Sequence, residues 1–349
     1  MISIASCPRA AAKSQLQACM RPSGSYILGL KASPAFTVKT WHGIGGSQRW
    51  ESTSAVRVNH NVKVNPPVST LPAPLVLQDR EPNEKFISYA FKQGKGYLNF
   101  YKSGLKSVYY NFRDTQSILN RLDLRGNAAS IASAAQDKIL TRSDYHFIRR
   151  SARDVAKLPL FALVFLVFGE FTPFVVVFMS GVVPYPCRIP KQVLNERRGL
   201  EERRAMSFRG LTEGPPPAQA LANEGLDAMN LNQVLHVARS LGLYSKIWPE
   251  GLLASPPLLD WVVKRRIRQR LEYLELDDSL IARDGGVVPM EAEEVTMALV
   301  ERGVDTLGTG DAQQKDSLKH WLRATTRARS PILQLLLTRQ SVWPAKDTN

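Results

Sequence analysis

Between Leu158 and Val183 the chain reads LPLFALVFLVFGEFTPFVVVFMSGVV, 26 residues in which Glu170 is the single charge. A helix that crosses a bilayer needs about 20 mostly apolar residues, so this run is long enough to span, with room for tilt or a kink. Pro159 stands at its start, where a missing N–H is harmless, and Pro173 stands inside it, where it predicts a kink that frees the carbonyl of Gly169. The same residues also suit two half-length segments in a re-entrant hairpin. A buried helix of a soluble core is the remaining reading, but few cores call for such a long run with one charge. A carboxylate at bilayer depth costs about 2.5–3.5 kcal/mol, so Glu170 is expected to be protonated, paired, or turned to a protein or water-lined cavity. Gly169, Glu170, Thr172 and Pro173 then form one polar, deformable patch. Two roles stay open for it: a cation or proton site in which Glu170 exchanges H⁺ for a metal ion, or a polar contact that holds an oligomer together.

The net charge of +15 is unevenly spread. Residues 1–204 hold 29 Lys and Arg against 13 Asp and Glu, whereas residues 205–349 hold 17 against 18. Bulk charge therefore does not make the C-terminal part a nucleic-acid binder. Residues 1–50 contain six basic residues, many small and hydroxylated ones, and no acid before Glu51. That is the composition of a mitochondrial transit peptide, and no apolar core long enough for a secretory signal interrupts it. Residues 51–80, with Pro66-Pro67, Pro72 and Pro74, read as a disordered linker.

Residues 81–157 read as an amphipathic helical region ahead of the 158–183 segment. Nine aromatics between Phe86 and Phe112 lie among lysines, a pattern for a helix at a membrane interface or packed on the span. Gly94, Gly96 and Gly104 weaken that helix unless something packs against it. Thr141-x-x-Asp144 predicts a capping-box start. From there Tyr145, Ile148, Ala152 and Val155 give an apolar stripe, while Arg149, Arg153 and Lys157 line another face beside Arg150. After the span, residues 184–229 read as a basic juxtamembrane region and linker carrying Arg188, Lys191, Arg197, Arg198, Arg203 and Arg204. Both flanks are basic, so charge bias does not orient the span. Arg149, Arg150, Arg153 and Lys157 are candidates for anionic lipid headgroups or a partner.

Residues 230–343 read as a soluble all-helical domain. Helices are expected over Leu231–Leu241, Pro257–Asp284, Met290–Arg302, Leu318–Arg327 and Pro331–Arg339, with Gly242, Gly285-Gly286 and Gly303 as stops. The longest carries an apolar stripe of Leu259, Val263, Ile267, Leu271 and Leu274. Its exposed face reads Lys264, Arg265, Arg266, Arg268 and Arg270, then Glu272, Glu275, Asp277 and Asp278. The basic half, Lys264, Arg265, Arg266 and Arg268, is a candidate docking surface, against the plainer reading of a solvated face. The fold expected is mainly α, a single-span membrane protein with a soluble all-helical C-terminal domain.

No enzyme chemistry suggests itself. Cys7, Cys19 and Cys187 form no Cys-x-x-Cys pair and the five histidines show no ligand spacing, so no metal site, disulfide scaffold or cofactor is expected. A calcium loop fails: with Gly285 or Gly286 at its sixth position, the first falls on Leu280 or Ile281. Phosphate-binding glycine loops, nucleophile elbows and His-Glu-x-x-His are missing as well.

Taken together, TRSDYHFIRRSARDVAKLP, the Glu-Phe-x-Pro of the apolar run, RQRLEYLELDDSLIARDGG, ALVERG and SPILQLLLTR resemble the LETM family, the leucine-zipper and EF-hand transmembrane proteins of the mitochondrial inner membrane. The resemblance covers about residues 141–339, and YLNFYKSGLKSVYYN upstream is similar to fungal members. It implies one inner-membrane span and a matrix-facing helical domain that associates with mitochondrial ribosomes. It also implies roles in inserting newly made proteins and in ion homeostasis. The alternative it implies is cation/proton exchange, K⁺/H⁺ or Ca²⁺/H⁺, through Glu170 in a homo-oligomer, because one helix has no lumen. Larger members continue into coiled coils and an EF-hand that these residues lack, so calcium sensing of that kind is not expected. The charge balance of the C-terminal part favours contacts with ribosomal proteins.

Overall fold

Thr141 starts the helix on which the molecule is organised. Its hydroxyl accepts from the Asp144 amide at 3.2 Å, and the Asp144 carboxylate accepts from the Thr141 amide at 3.3 Å and hydroxyl at 2.7 Å. This reciprocal cap fixes the start of a helix spanning Arg142–Phe168. The computed structural model describes residues 63–75, 85–124, 126–168, 181–243, 257–327 and 331–338. Among them the elements are helical, with no strand. In chain order they are α1 (Phe86–Arg121), α2 (Ala128–Gln136), α3 (Arg142–Phe168), α4 (Pro190–Arg209), α5 (Ala218–Glu224), α6 (Leu231–Ser240), α7 (Pro257–Arg283), α8 (Ala292–Glu301), α9 (Asp311–Leu322) and α10 (Ile332–Leu337).

The main core joins α2 and the start of α3 to α6–α10. Val237, Ile267, Leu274, Ile281, Leu318 and Trp321 have no solvent exposure. A smaller apolar cluster lies between α1 and α3, where Phe100 and Tyr101 meet Phe161, Val164, Val183 and Cys187. The close approach there explains one of the helical glycines. A Cβ at Gly104 would stand 2.8 Å from both the Cys187 sulfur and the Pro186 carbonyl oxygen.

Three expectations from the sequence need correction. Part of the expected linker is docked rather than disordered. Val64 is fully buried, the Ser143 amide donates to the Lys63 carbonyl, and Arg142 donates to the Val64 carbonyl. Burying a valine is worth about 1.5–3 kcal/mol, and these bonds add to it. The expected linker within 184–229 forms α4 and α5, and two of its arginines point inward. Arg204 donates to the carbonyls of Ser240 and Val300 at 2.8 Å, and Arg188 pairs with Glu196 at 2.5 Å. Finally, Asp277 and Asp278 are not on the solvated face of α7 but buried, at 0% and 5% exposure. Their burial is possible because guanidinium groups meet them.

The 158–183 run is described only at its two ends. Leu158–Phe168 continue α3, so Pro159 lies inside a helix and not at the start of one, and residues 181–183 lead into the turn before α4. Glu170, Thr172, Pro173 and the expected transit peptide lie outside the described residues. No described helix is long and apolar enough to cross a membrane.

Candidate functional site

Four residues apart on one face of α3, Arg142, His146 and Arg150 reach across to α7 and α8. Arg142 Nε donates to Asp277 Oδ1 at 2.8 Å, and His146 Nε2 bonds the same oxygen at 2.7 Å. Arg302 donates to Asp277 Oδ2 at 2.7 Å and to Asp278 Oδ1 at 2.5 Å, while the Trp321 indole N–H donates to Asp278 Oδ2 at 2.9 Å. Two guanidinium groups and two carboxylates balance, which leaves no charge for the histidine. Burial, reinforced by the Arg142 charge, pushes the His146 pKa down to about 4 against the pull of Asp277. Burial alone would raise the Asp277 carboxyl, but Arg142, His146 and Arg302 outweigh it and hold it well below the usual carboxylate range. Such a network fixes one arrangement of helices and leaves a large penalty if any member is removed.

Arg150 corrects one expectation. Its guanidinium grips Glu294 on α8 with two parallel bonds of 2.6 and 2.7 Å and donates to Thr70 at 3.2 Å. Both partners of the pair are buried, so Arg150 is a structural clamp and not available to a lipid or partner.

The other basic candidates on α3 are less buried than Arg150. Arg153 is exposed; Arg149 is half-buried, its guanidinium carbon 3.4 Å from the centre of the Tyr273 ring. Lys157 is half-buried next to the Val183 carbonyl, at 3.5 Å. On α7, Lys264 pairs with Asp227 at 3.0 Å. Arg265, Arg266 and Arg268 are exposed, and Arg265 lies 5.3 Å over the ring of Trp261. Trp261 is itself 52% exposed, an unusual position for so large an apolar group and one the charge-based reading passed over. The structure also brings the α3 and α7 basic groups together. Arg270 on α7 stands 3.7 Å from Glu301 on α8, and Arg153 lies close enough to act on the same carboxyl.

Where α3 leaves the core its side chains turn apolar and exposed. Leu160, Leu163, Leu166 and Val167 are 50–81% exposed. On α1, which packs beside it, Phe91, Leu98, Leu105, Tyr109 and Phe112 are also exposed. They follow one another at seven, seven, four and three residues, which places them on one helical face. Lys92, Lys95, Lys102 and Lys106 lie among them in sequence.

Residues 222–342 match the family model described as LETM1-like, RBD, and residues 77–202 match the one described as the pentamidine resistance factor domain. Residues 222–342 are thus a LETM1-like domain, with a second recognisable segment ahead of it. No curated protein and no solved structure is significantly similar to it. The two matched segments belong to a single folded unit, and the Arg142–Asp277 and Arg150–Glu294 contacts cross from one to the other.

Proposed function

We propose that this is a mitochondrial inner-membrane protein whose helical domain associates with mitochondrial ribosomes and supports membrane insertion of newly made proteins and ion homeostasis. The observation that carries the proposal is the LETM1-like RBD match over residues 222–342, joined to the helix that runs into the 158–183 apolar run. The exposed leucines of α3 and the aromatic stripe of α1 support a bilayer around that end of the molecule, since a large exposed apolar patch in water is unfavourable. The acid-free, basic N-terminus supports import into mitochondria.

Exposed Trp261 with Arg265, Arg266 and Arg268 on α7 supplies the contact surface. A large aromatic group beside arginines is the composition that dominates binding energy at interfaces. With little net charge on the domain, ribosomal proteins suit it better than rRNA. The test is cosedimentation of the detergent-solubilised full chain with mitochondrial ribosomes, compared with a Trp261→Ala, Arg265→Ala, Arg268→Ala variant. Equal recovery of the two would remove this surface.

A second reading rests on Glu170 alone. An acid amid 25 uncharged residues is expensive unless it works, and exchange of H⁺ for K⁺ or Ca²⁺ is work it can do. Thr172 and Pro173 supply an oxygen and a deformable backbone beside it. The reading requires a homo-oligomer, and proton-coupled K⁺ flux into proteoliposomes that survives Glu170→Gln unchanged would eliminate it.

A further inference from the structure

Arg153 from α3 and Arg270 from α7 act on one carboxylate, that of Glu301 at the end of α8, and Arg149 from α3 shares the Tyr273 ring with Arg270. Among the described residues Arg149 and Arg153 have no carboxylate within ion-pair distance, and Arg270 reaches only to 3.7 Å of Glu301. Glu301 is otherwise engaged, since the Tyr273 hydroxyl donates to its Oε2 at 2.5 Å. Tyr273 forms the floor of the cluster. Arg149 lies 3.4 Å and Arg270 4.9 Å from its ring centre, and Tyr145 stacks beside it at 6.4 Å. Three guanidinium groups against one carboxylate leave two positive charges without a counter-ion. Arg149 Nη1 and Arg270 Nε, moreover, are shielded from solvent and have no acceptor among the described residues. Buried N–H groups on charged side chains are costly to leave unmade, and here two of them lie in the same cluster.

We propose that Arg149, Arg153 and Arg270, over the floor of Tyr273, form a binding site for a phosphate group, with Glu301 as the counter-ion that holds the site together when it is empty. Guanidinium forks match phosphate oxygens in geometry as well as charge, and the two missing negative charges are those a phosphate supplies. Exposed Arg153 is the entrance. Arg149 and Arg270 turn from the ring toward the bound oxygens, which gives the orphaned N–H groups their acceptors. The position favours a headgroup: Arg153 precedes Leu158 by five residues, about 7.5 Å along the helix, and the exposed leucines of α3 follow at once. A lipid phosphate and a free phosphate present the same chemistry to the site. The site lies wholly within described, folded elements, so its failure and that of ribosome association are independent.

The test titrates the detergent-solubilised full chain with inorganic phosphate, dihexanoyl phosphatidic acid and dihexanoyl phosphatidylcholine, read by calorimetry. Saturable binding of phosphatidic acid, tighter than of the zwitterionic lipid, is expected. Arg153→Gln and Arg270→Gln should each weaken it roughly tenfold, the loss of one charge-assisted contact. Arg153→Lys should retain most of it, and Glu301→Gln should tighten it. Opposite signs for the arginine and glutamate variants are what a purely structural role would not give. Binding of both phosphate and phosphatidic acid with that signature supports a general phosphate site, and binding of phosphatidic acid alone supports a headgroup site. Binding of neither at millimolar concentration, or all variants shifting affinity in one direction, overturns the proposal. Arg153 is exposed, so its variants report on binding without putting the fold at risk.

Discussion

Removing one half of the Arg150–Glu294 clamp should cost far more than removing both halves. Glu294 is 1% and Arg150 8% exposed at the side chain, and two bonds of 2.6 and 2.7 Å join them. Glu294→Met leaves a guanidinium buried with only the Thr70 hydroxyl for company. Arg150→Met strands the carboxylate in the same way. Breaking a buried pair from one side typically destabilises by about 3–5 kcal/mol, roughly a fifth or more of the total stability of an ordinary domain. The Arg150→Met, Glu294→Met double variant replaces the pair with apolar groups of similar length and should recover most of the loss. Thr70 remains satisfied in it, because its hydroxyl donates to the Pro67 carbonyl at 2.9 Å. The assay is equilibrium urea unfolding of the detergent-solubilised full chain, followed by helical circular dichroism. Single variants within about 1 kcal/mol of the parent would refute the reasoning, as would a double variant no better than either single one. Because Arg150 belongs to the segment ahead of the LETM1-like domain and Glu294 to the domain itself, the same experiment tests whether the two unfold together.

Other outcomes follow from the buried groups. His146 is held neutral, with its pKa near 4 against 6.5 when unfolded, so its contribution is complete above pH 6.5 and is lost as pH falls toward 4. The loss should be about 2 kcal/mol by pH 5, and a His146→Gln variant should show a shallower acid slope between pH 6.5 and 4 in the same unfolding assay. Burial pushes the Cys187 thiol up to about 12, so peptide mapping after iodoacetamide treatment at pH 7.5 should find it unmodified until the chain is denatured. Gly104→Val should destabilise by about 1–3 kcal/mol through overpacking, since the new carbon atoms meet Cys187 and Pro186.

Local signals in the sequence translated well. The Thr141–Asp144 cap, the stripe Val263, Ile267 and Leu274, and the glycine stops at Gly242 and Gly303 depend on neighbours a few residues away, and each is in place. Partnership across long separations was not legible. The register of the Leu271 and Leu274 stripe turns Asp277 and Asp278 inward and leaves Glu272 and Glu275 exposed, but nothing within α7 supplies the partners that two buried carboxylates need. Those partners are Arg142 and His146, more than 130 residues away, and Arg302. Arg149, Arg150 and Arg153 likewise look alike in a basic run, yet one grips Glu294, one lies on Tyr273 and one faces solvent. Trp261 was missed because charge, rather than apolar exposure, guided the reading of α7.

The contacts of α3 with α7 and α8 also bear on how ribosome association should be measured. A fragment starting near Pro215 would lack Arg142, His146 and Arg150 and leave Asp277 and Glu294 without them. The full chain in detergent is therefore the material to use, with mitochondrial ribosomes sedimented through sucrose at low and moderate salt. The account predicts that the chain pellets with ribosomes at both salts, that Glu170→Gln pellets equally well, and that the Trp261, Arg265 and Arg268 substitutions release it. A full-length, folded chain that stays in the supernatant at both salts would contradict it.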